Sequence, residues 1–264
     1  MSRRHKYPRR KGGGSPEFLI PPRPLISLII PVLNEAAVLS ETLAGLPAAP
    51  DLEVILVDGG SSDGTWEAAA DFARVRRFRS PPGRGRQMNA GALASRGELL
   101  AFLHADTAFT AAHLTALRRA GAAPGLGAGA FELALNPARP ALRFIAWGAN
   151  VRSRAFGLPY GDQVLWVRRD LFFQLGGYAH RRPEDLDLVL RLRRHTRLKI
   201  LTPPVVSSGR RWLEHGYFNT TLRHWADLAL HLAQRTFTRG WPDFGEMAGE
   251  GRVRAGRDAG VTGP

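Results

Sequence analysis

Leu99-Leu100-Ala101-Phe102-Leu103-His104-Ala105-Asp106-Thr107 is the stretch from which the rest of the chain can be read. Leu99 to Leu103 form an unbroken apolar run between Glu98 and His104. That is the length of a β-strand buried on both faces. The run delivers His104 and Asp106 at its carboxyl end. In extended chain, side chains two residues apart leave on the same side. In open α/β sheets that edge is where ligands bind. The same residues also describe a core strand ending in a turn with a capping Asp.

Working upstream, strand and helix signals alternate. Leu25 to Pro31 reads as a buried strand, and Ala36 to Leu46 as a helix whose apolar face is Leu39, Leu43 and Leu46. Leu52 to Val57 is the next strand, with Asp58 at its end. A Gly/Ser turn ending in Asp63-Gly64-Thr65 follows, then helix from about Trp66. Val75 to Arg79 is a short strand, and Arg84 to Ala94 a helix leading back to Leu99. Such alternation predicts an α/β fold, a mostly parallel sheet flanked by helices.

Downstream the pattern is less regular. Gly129 to Leu135 and Gln163 to Val167 read as strands, and Pro140 to Phe156 as a helix. Pro183-Glu184-Asp185-Leu186-Asp187 opens a helix to about His195, its acids suiting the helix dipole. From Phe218 an apolar stripe, Phe218, Leu222, Trp225, Ala229 and Leu232, predicts an amphipathic helix. Residues 1–24 are expected to be a disordered basic tail and 25–216 the main folded domain. Within it, 25–135 and 136–216 form two halves; 217–264 hold the last helix and a tail.

Composition excludes several chemistries. The chain has 264 residues and no cysteine, so no thiolate nucleophile or Cys-ligated zinc is possible. No run approaches the ~18 apolar residues of a membrane span. The N-terminus is basic but lacks the apolar region of a secretory signal. Net charge is +14; seven basic residues against one acid in the first 24 leave +8 on the remainder. A basic surface suits nucleic acid, anionic lipid or a phosphorylated ligand alike. The G-x-G-x-x-G and P-loop fingerprints are absent from the glycine-rich turn.

At Asp58 and Asp63 the turn offers carboxylates for a base N–H and backbone amides for an anion. Gly, Ser and Asp also occur in such turns for backbone reasons alone.

Ile30-Pro31-Val32-Leu33-Asn34-Glu35, Val57-Asp58-Gly59-Gly60-Ser61-Ser62-Asp63-Gly64-Thr65 and Leu103-His104-Ala105-Asp106-Thr107 together resemble the successive motifs of family 2 glycosyltransferases. The likeness continues through Gly161-Asp162-Gln163, Gly176-Gly177-Tyr178 and Glu184-Asp185, covering about Leu25 to Trp212. Within the family, Gly85-Arg86-Gln87-Met88-Asn89-Ala90-Gly91 and the His-Ala-Asp triplet resemble a bacterial subgroup associated with radical-SAM and selenodomain neighbours.

The resemblance implies a GT-A fold, a nucleoside-diphosphate sugar donor (UDP is the expected carrier), a divalent metal and inversion at the anomeric carbon. Pro31, Asn34 and Glu35 would line the nucleoside pocket and Asp58 would contact the base. Arg84 or Arg86 would approach the diphosphate. Asp106 would bind the metal, Mn2+ or Mg2+. His104 stands where most relatives have an acid. Imidazole suits transition metals better than magnesium, so either manganese is preferred or His104 touches only water or ribose. Asp185 would be the general base, with Glu184 as the alternative. Gly209-Arg210-Arg211-Trp212 partly matches a Q-x-x-R-W motif but lacks its Gln. No processive polymerisation is inferred, and Arg210 or Arg211 would neutralise the leaving diphosphate.

The acceptor is unspecified: a small molecule, a glycan or a lipid. A second reading makes the chain a peripheral membrane protein whose helices at Pro140 and Phe218 bind lipid, acting at the inner face of a membrane. A third, a nucleic-acid binder, rests on net charge without a recognition motif. The expected location is cytoplasmic.

Overall fold

The computed structural model describes residues 26–179, 183–215 and 254–255. The strands are β1 (Ile26–Val32), β2 (Leu52–Asp58), β3 (Val75–Arg79), β4 (Leu99–Phe102), β5 (Thr107–Ala108), β6 (Ala128–Asn136), β7 (Trp166–Arg168), β8 (Lys199–Ser208) and β9 (Arg254–Ala255). The helices are α1 (Ala36–Gly45), α2 (Thr65–Ala68), α3 (Arg84–Ala94), α4 (Ala111–Ala122), α5 (Pro140–Phe156), α6 (Arg169–Gln174), α7 (Glu184–Leu192) and α8 (Arg210–His215). One turn of 3-10 helix covers Gly161–Gln163. The predicted basic tail and the Phe218 helix lie outside the described residues.

One sheet runs β5-β8-β6-β7-β4-β1-β2-β3-β9. β3, β2, β1 and β4 are mutually parallel, and β6 is parallel to β8. β7 lies antiparallel between β4 and β6, joining the two halves. Alternation in β1 divides the core. Ile26, Leu28, Ile30 and Val32 face one layer with Leu39 and Leu43 of α1 and Leu114 and Leu117 of α4. Ile29 faces the other, with Met88 of α3 and Leu188 of α7. A third cluster packs β6 residues Leu133 and Leu135 on Leu142, Ala146 and Ala149 of α5, with Trp212 of α8.

Gly91 sets the approach of α3 to β1. A Cβ there would lie 2.4 Å from Ile29 Cγ2, so only glycine lets the helix seat this close.

Four readings are corrected. His104 to Thr107 is a turn closed by Thr107 N–H to the His104 carbonyl, not extended strand; the same-side argument for His104 and Asp106 therefore does not hold. The segment predicted as strand from Gln163 begins in the 3-10 turn, and the strand is Trp166–Arg168. The helix at Trp66 is only Thr65–Ala68. The helix from Glu184 stops at Leu192, short of His195.

A topological switch lies between β1 and β4. β2 and β3 continue on one side of β1, while β4 pairs on the other. The crevice at the carboxyl ends of β1 and β4 is the position where such sheets bind ligands. Pro31 sits there. β4 pairs β1 only as far as Ile29, which also accepts from Leu103 N–H. Pro31 points to the same side as Ile29, past the end of β4, so its missing N–H removes no ladder bond.

Candidate active site

The loop after β1 and the loop after β2 are laced together. Asn34 takes a positive φ of 56°. Its N–H donates to Ser61 Oγ at 2.9 Å and its side-chain oxygen accepts from Ser62 N–H at 3.0 Å. Glu35 N–H donates to Thr65 Oγ1 at 2.8 Å. Asp63 accepts from Ala36 N–H at 3.1 Å and from Thr65 N–H at 3.0 Å, tying the first residues of α1 and α2 to one carboxylate. The Thr65 hydroxyl chiefly holds the Asp63 carboxyl below the usual range; the two backbone donors add to this. Asp63 is thus a loop anchor, with both oxygens engaged.

Asp58 is completely buried. It accepts from Ser61 N–H at 3.1 Å and from the Ser61 hydroxyl, and Arg79 Nε stands 4.0 Å away. The Asp58 carboxylate is thus already engaged by Ser61, with Arg79 beside it. Arg79 also stacks on Trp66, its guanidinium carbon 4.5 Å from the ring centroid, with Arg77 over the same ring at 4.8 Å.

Gln87 of α3 fixes the crevice floor. Its amide nitrogen donates to the Val32 carbonyl at 2.7 Å and the Val57 carbonyl at 2.9 Å, joining the ends of β1 and β2. Asn89, two residues further along α3, exchanges two 2.9 Å bonds with the Tyr178 backbone. The Gly85–Gly91 motif is therefore a scaffold, and its polar residues brace the elements around the crevice.

His104 and Asp106 are half-buried in the turn after β4. Ala105 between them is buried, and its carbonyl accepts from Thr42 Oγ1, so it anchors the turn to α1. Among the described residues no group of three or more His, Cys, Asp or Glu side chains could hold a metal. The turn supplies an imidazole and a carboxylate, two donor types that transition metals accept.

The second half of the site joins the N-termini of α3 and α7. Arg84 Nε donates to Glu184 Oε1 at 2.7 Å, and its Nη2 to Asp185 Oδ2 at 3.2 Å. Both carboxylates are buried, while the Arg84 side chain is about one-third exposed. Burial works against the Arg84 charge, but Asp185 and Glu184 outweigh it and hold the guanidinium firmly protonated. Arg84 therefore points at two acids; Arg86, one residue beyond Gly85, is exposed.

Asp185 is pushed up to about 6. Burial is the main cause; Arg84 opposes it, and the like charges of Glu184 and Asp162 add to it. Its Oδ1 is buried and makes no hydrogen bond among the described residues. Such an orphaned oxygen calls for an explanation, and catalysis is one. A carboxylate poised near neutral pH with one uncommitted oxygen can take a proton from a hydroxyl.

Gly161 permits this placement. A Cβ on it would lie 2.4 Å from Asp185 Oδ2. Gln163 in the same turn bonds the Phe131 carbonyl at 3.0 Å and accepts from Ser153 Oγ at 2.7 Å, locking the turn to β6 and α5. Tyr178 is buried, and its hydroxyl has no hydrogen bond among the described residues; burial and Asp185 both push that phenol up, so it stays neutral. Asp162, Gly161 and Tyr178 all lie in motifs legible in the sequence, but their bearing on Asp185 was not.

Arg210 of α8 closes the ring from the far end of the chain. Its Nη2 stands 3.8 Å from Glu35 Oε2. Arg211 follows it in α8, with its side chain outside the described residues.

Comparison with known proteins agrees with this architecture. Residues 27–125 match the family model for Glycosyl transferase family 2. PGL/p-HBAD biosynthesis glycosyltransferases of Mycobacterium tuberculosis and Mycobacterium bovis are 41% identical over 91 residues, covering 31% of this chain and 36% of theirs. The chain thus matches about a third of the length of these relatives. Among solved structures, the mannosyltransferase PcManGT from Pyrobaculum calidifontis, in complex with GDP-Man and Mn2+, superposes with a TM-score of 0.60 at 24% identity. The match covers 83% of this chain and 66% of that one. S. aureus TarS 1-349 with UDP-GlcNAc gives a TM-score of 0.54 at 15% identity over 69% of this chain and 58% of its own. The fold is that of these solved structures, GT-A, and residues 27–125 are similar to the family 2 glycosyl transferase domain.

Proposed function

We propose that this protein is an inverting glycosyltransferase that moves a sugar from a nucleoside-diphosphate donor to an acceptor hydroxyl. The single observation that carries the reading is Asp185, a buried carboxylate raised to about 6 with Oδ1 uncommitted. The first turn of α3 links it to the strand ends, Arg84 bonding Asp185 and Gln87 bonding the Val32 and Val57 carbonyls. The nucleoside would lie against Pro31, Asn34 and Glu35, with Asp58 accepting from the base once Ser61 turns. UDP is the proposed carrier; GDP in the P. calidifontis structure makes it the first alternative.

Asp185 takes the proton of the acceptor hydroxyl while the hydroxyl oxygen attacks the anomeric carbon and the bond from that carbon to the diphosphate breaks. Attack from the face opposite the diphosphate inverts that centre. Arg86 and Arg210 offer guanidinium charge to the departing diphosphate. His104 and Asp106 would hold a divalent cation, Mn2+ or Mg2+, which when bound supplies charge neutralisation on the diphosphate.

A specific surface favours acceptors presented at a lipid interface. Along α5, Phe144 and Trp147 are 70% and 59% exposed and stack at 5.5 Å, with Val151 and Phe156 exposed beyond them. Arg139 and Arg143 are exposed at the same helix start, and α5 contains no acid. Aromatic side chains with flanking arginines on one helix face suit peripheral contact with an anionic bilayer. No described helix is long and apolar enough to cross a membrane.

The test is thermal stability of the full chain with UDP, GDP and dTDP sugars, each with manganese. A ligand that binds only the native state raises its melting temperature. Stabilisation by at least one donor is expected; none by any of them would overturn the reading.

A further inference from the structure

We propose that Arg84 is the positioning residue of the Asp185 carboxylate, holding it against Gly161 and ionised, rather than a ligand of the donor diphosphate. The inference rests on the reading of Asp185 as the base.

The geometry is that of a fork. One guanidinium spans two neighbouring acids, Nε to Glu184 at 2.7 Å and Nη2 to Asp185 at 3.2 Å. Bidentate guanidinium bonds of this kind fix direction as well as charge. Arg84 is aimed by its own helix. It is the first residue of α3, and the next, Gly85, is pressed on the segment before α7, where a Cβ would lie 2.8 Å from the Ala179 carbonyl. The first turn of α3 therefore faces the first turn of α7 at contact distance.

The charges around Asp185 need this cation. Glu184 adjoins it on α7, and Asp162 lies near it on the 3-10 turn. The Tyr178 phenol is neutral, and the Gly161 backbone contributes a weak bond. Among the described residues, Arg84 is the cation acting on Asp185. Without it, crowded carboxylates on neighbouring elements would drive one of them to protonate. Sending Arg84 to a diphosphate would leave two buried carboxylates uncompensated, which is unfavourable. Glu184 takes the shorter bond and is the counter-ion. Asp185 is held by one oxygen, and Oδ1 stays open to a proton.

The experiment is a pH titration of the Asp185 carboxyl carbon by 13C NMR in the full chain, assigned by its loss in Asp185→Asn. Arg84→Gln is expected to raise the Asp185 midpoint by about one pH unit or more, and Arg84→Lys to restore part of the change. Glu184→Gln removes the like charge and frees the guanidinium, so the midpoint falls; this arm stands even if Arg84→Gln does not fold. Calorimetry with UDP and manganese completes the test, with unchanged affinity expected in Arg84→Gln. An unmoved midpoint in Arg84→Gln, or a tenfold loss of UDP affinity there, would overturn the proposal. Failure of wild-type protein to bind any nucleotide would instead strike the proposed function, because the titration needs no ligand.

Discussion

Gly161 and Asp185 touch so closely that a methyl group on the glycine would sit 2.4 Å from the aspartate's Oδ2. Something must shift if one is added, and the carboxylate is the freer partner. Gly161→Ala is expected to push Asp185 off Arg84 and to lower transfer sharply, with the fold retained because Gln163 still anchors the turn. Turnover and circular dichroism of the variant check this. A folded variant with wild-type turnover would mean that the position of Asp185 is immaterial.

Stability carries the same signature. Asp185 keeps its proton up to about 6 in the folded chain, against an ordinary 3.8. Between these values the folded state binds more protons than the unfolded one, so stability falls as pH rises through the window. The ionised carboxylate therefore costs stability at neutral pH, on the order of 1–3 kcal/mol. Asp185→Asn should be more stable than wild type at pH 7.5, with a smaller difference at pH 4. Urea unfolding at the two pH values gives the answer; a difference that does not change with pH would contradict it.

The turn after β4 predicts a metal preference. Asp106→Ala should abolish any manganese-dependent stabilisation by UDP. His104→Asp replaces imidazole with a hard oxygen ligand and should shift preference toward magnesium. Melting temperatures with UDP and either metal measure both. An unchanged manganese-to-magnesium ratio in His104→Asp would remove His104 from the ligand set.

The aromatic face of α5 gives a surface test. Replacing Phe144 and Trp147 with serine removes two exposed side chains and disturbs no described core cluster. Flotation with anionic phosphatidylglycerol vesicles should be lost in the double variant and kept in wild type. Equal flotation of both would place lipid contact elsewhere or nowhere.

The sequence made the first half legible because its strands are uninterrupted apolar runs ending in polar turns. β2, β3 and α3 lie close to where periodicity puts them. β8 was hidden by Thr202-Pro203-Pro204. These residues bulge out between the pairs Phe131↔Leu201 and Leu133↔Val205, so a strand reads as a loop. α4 went unread as well. It is held by Thr110 and by His113, which accepts from Thr110 N–H at 2.9 Å and lies 3.2 Å from the Pro204 carbonyl. In the site, Asp58, Glu184 and Asp185 can be named from their motifs, whereas Arg84 reads from sequence only as one of two candidates, with Arg86, for the diphosphate. Its partner Glu184 is 100 residues away, and no local pattern encodes a contact across that separation. Gly161 was visible as part of a motif; its reason, contact with a carboxylate, exists only in three dimensions.

The central claim is that Asp185 deprotonates the acceptor. Its most direct test is acceptor-dependent release of nucleoside diphosphate, using the donor selected by thermal stabilisation and a panel of sugar and lipid hydroxyls. Wild type and Asp185→Asn are compared at saturating donor. A positioned base contributes about 10²–10⁴-fold, so Asp185→Asn should lose at least that much acceptor-dependent release while binding donor as wild type does. Acceptor-dependent release at the wild-type rate from folded Asp185→Asn would contradict the account.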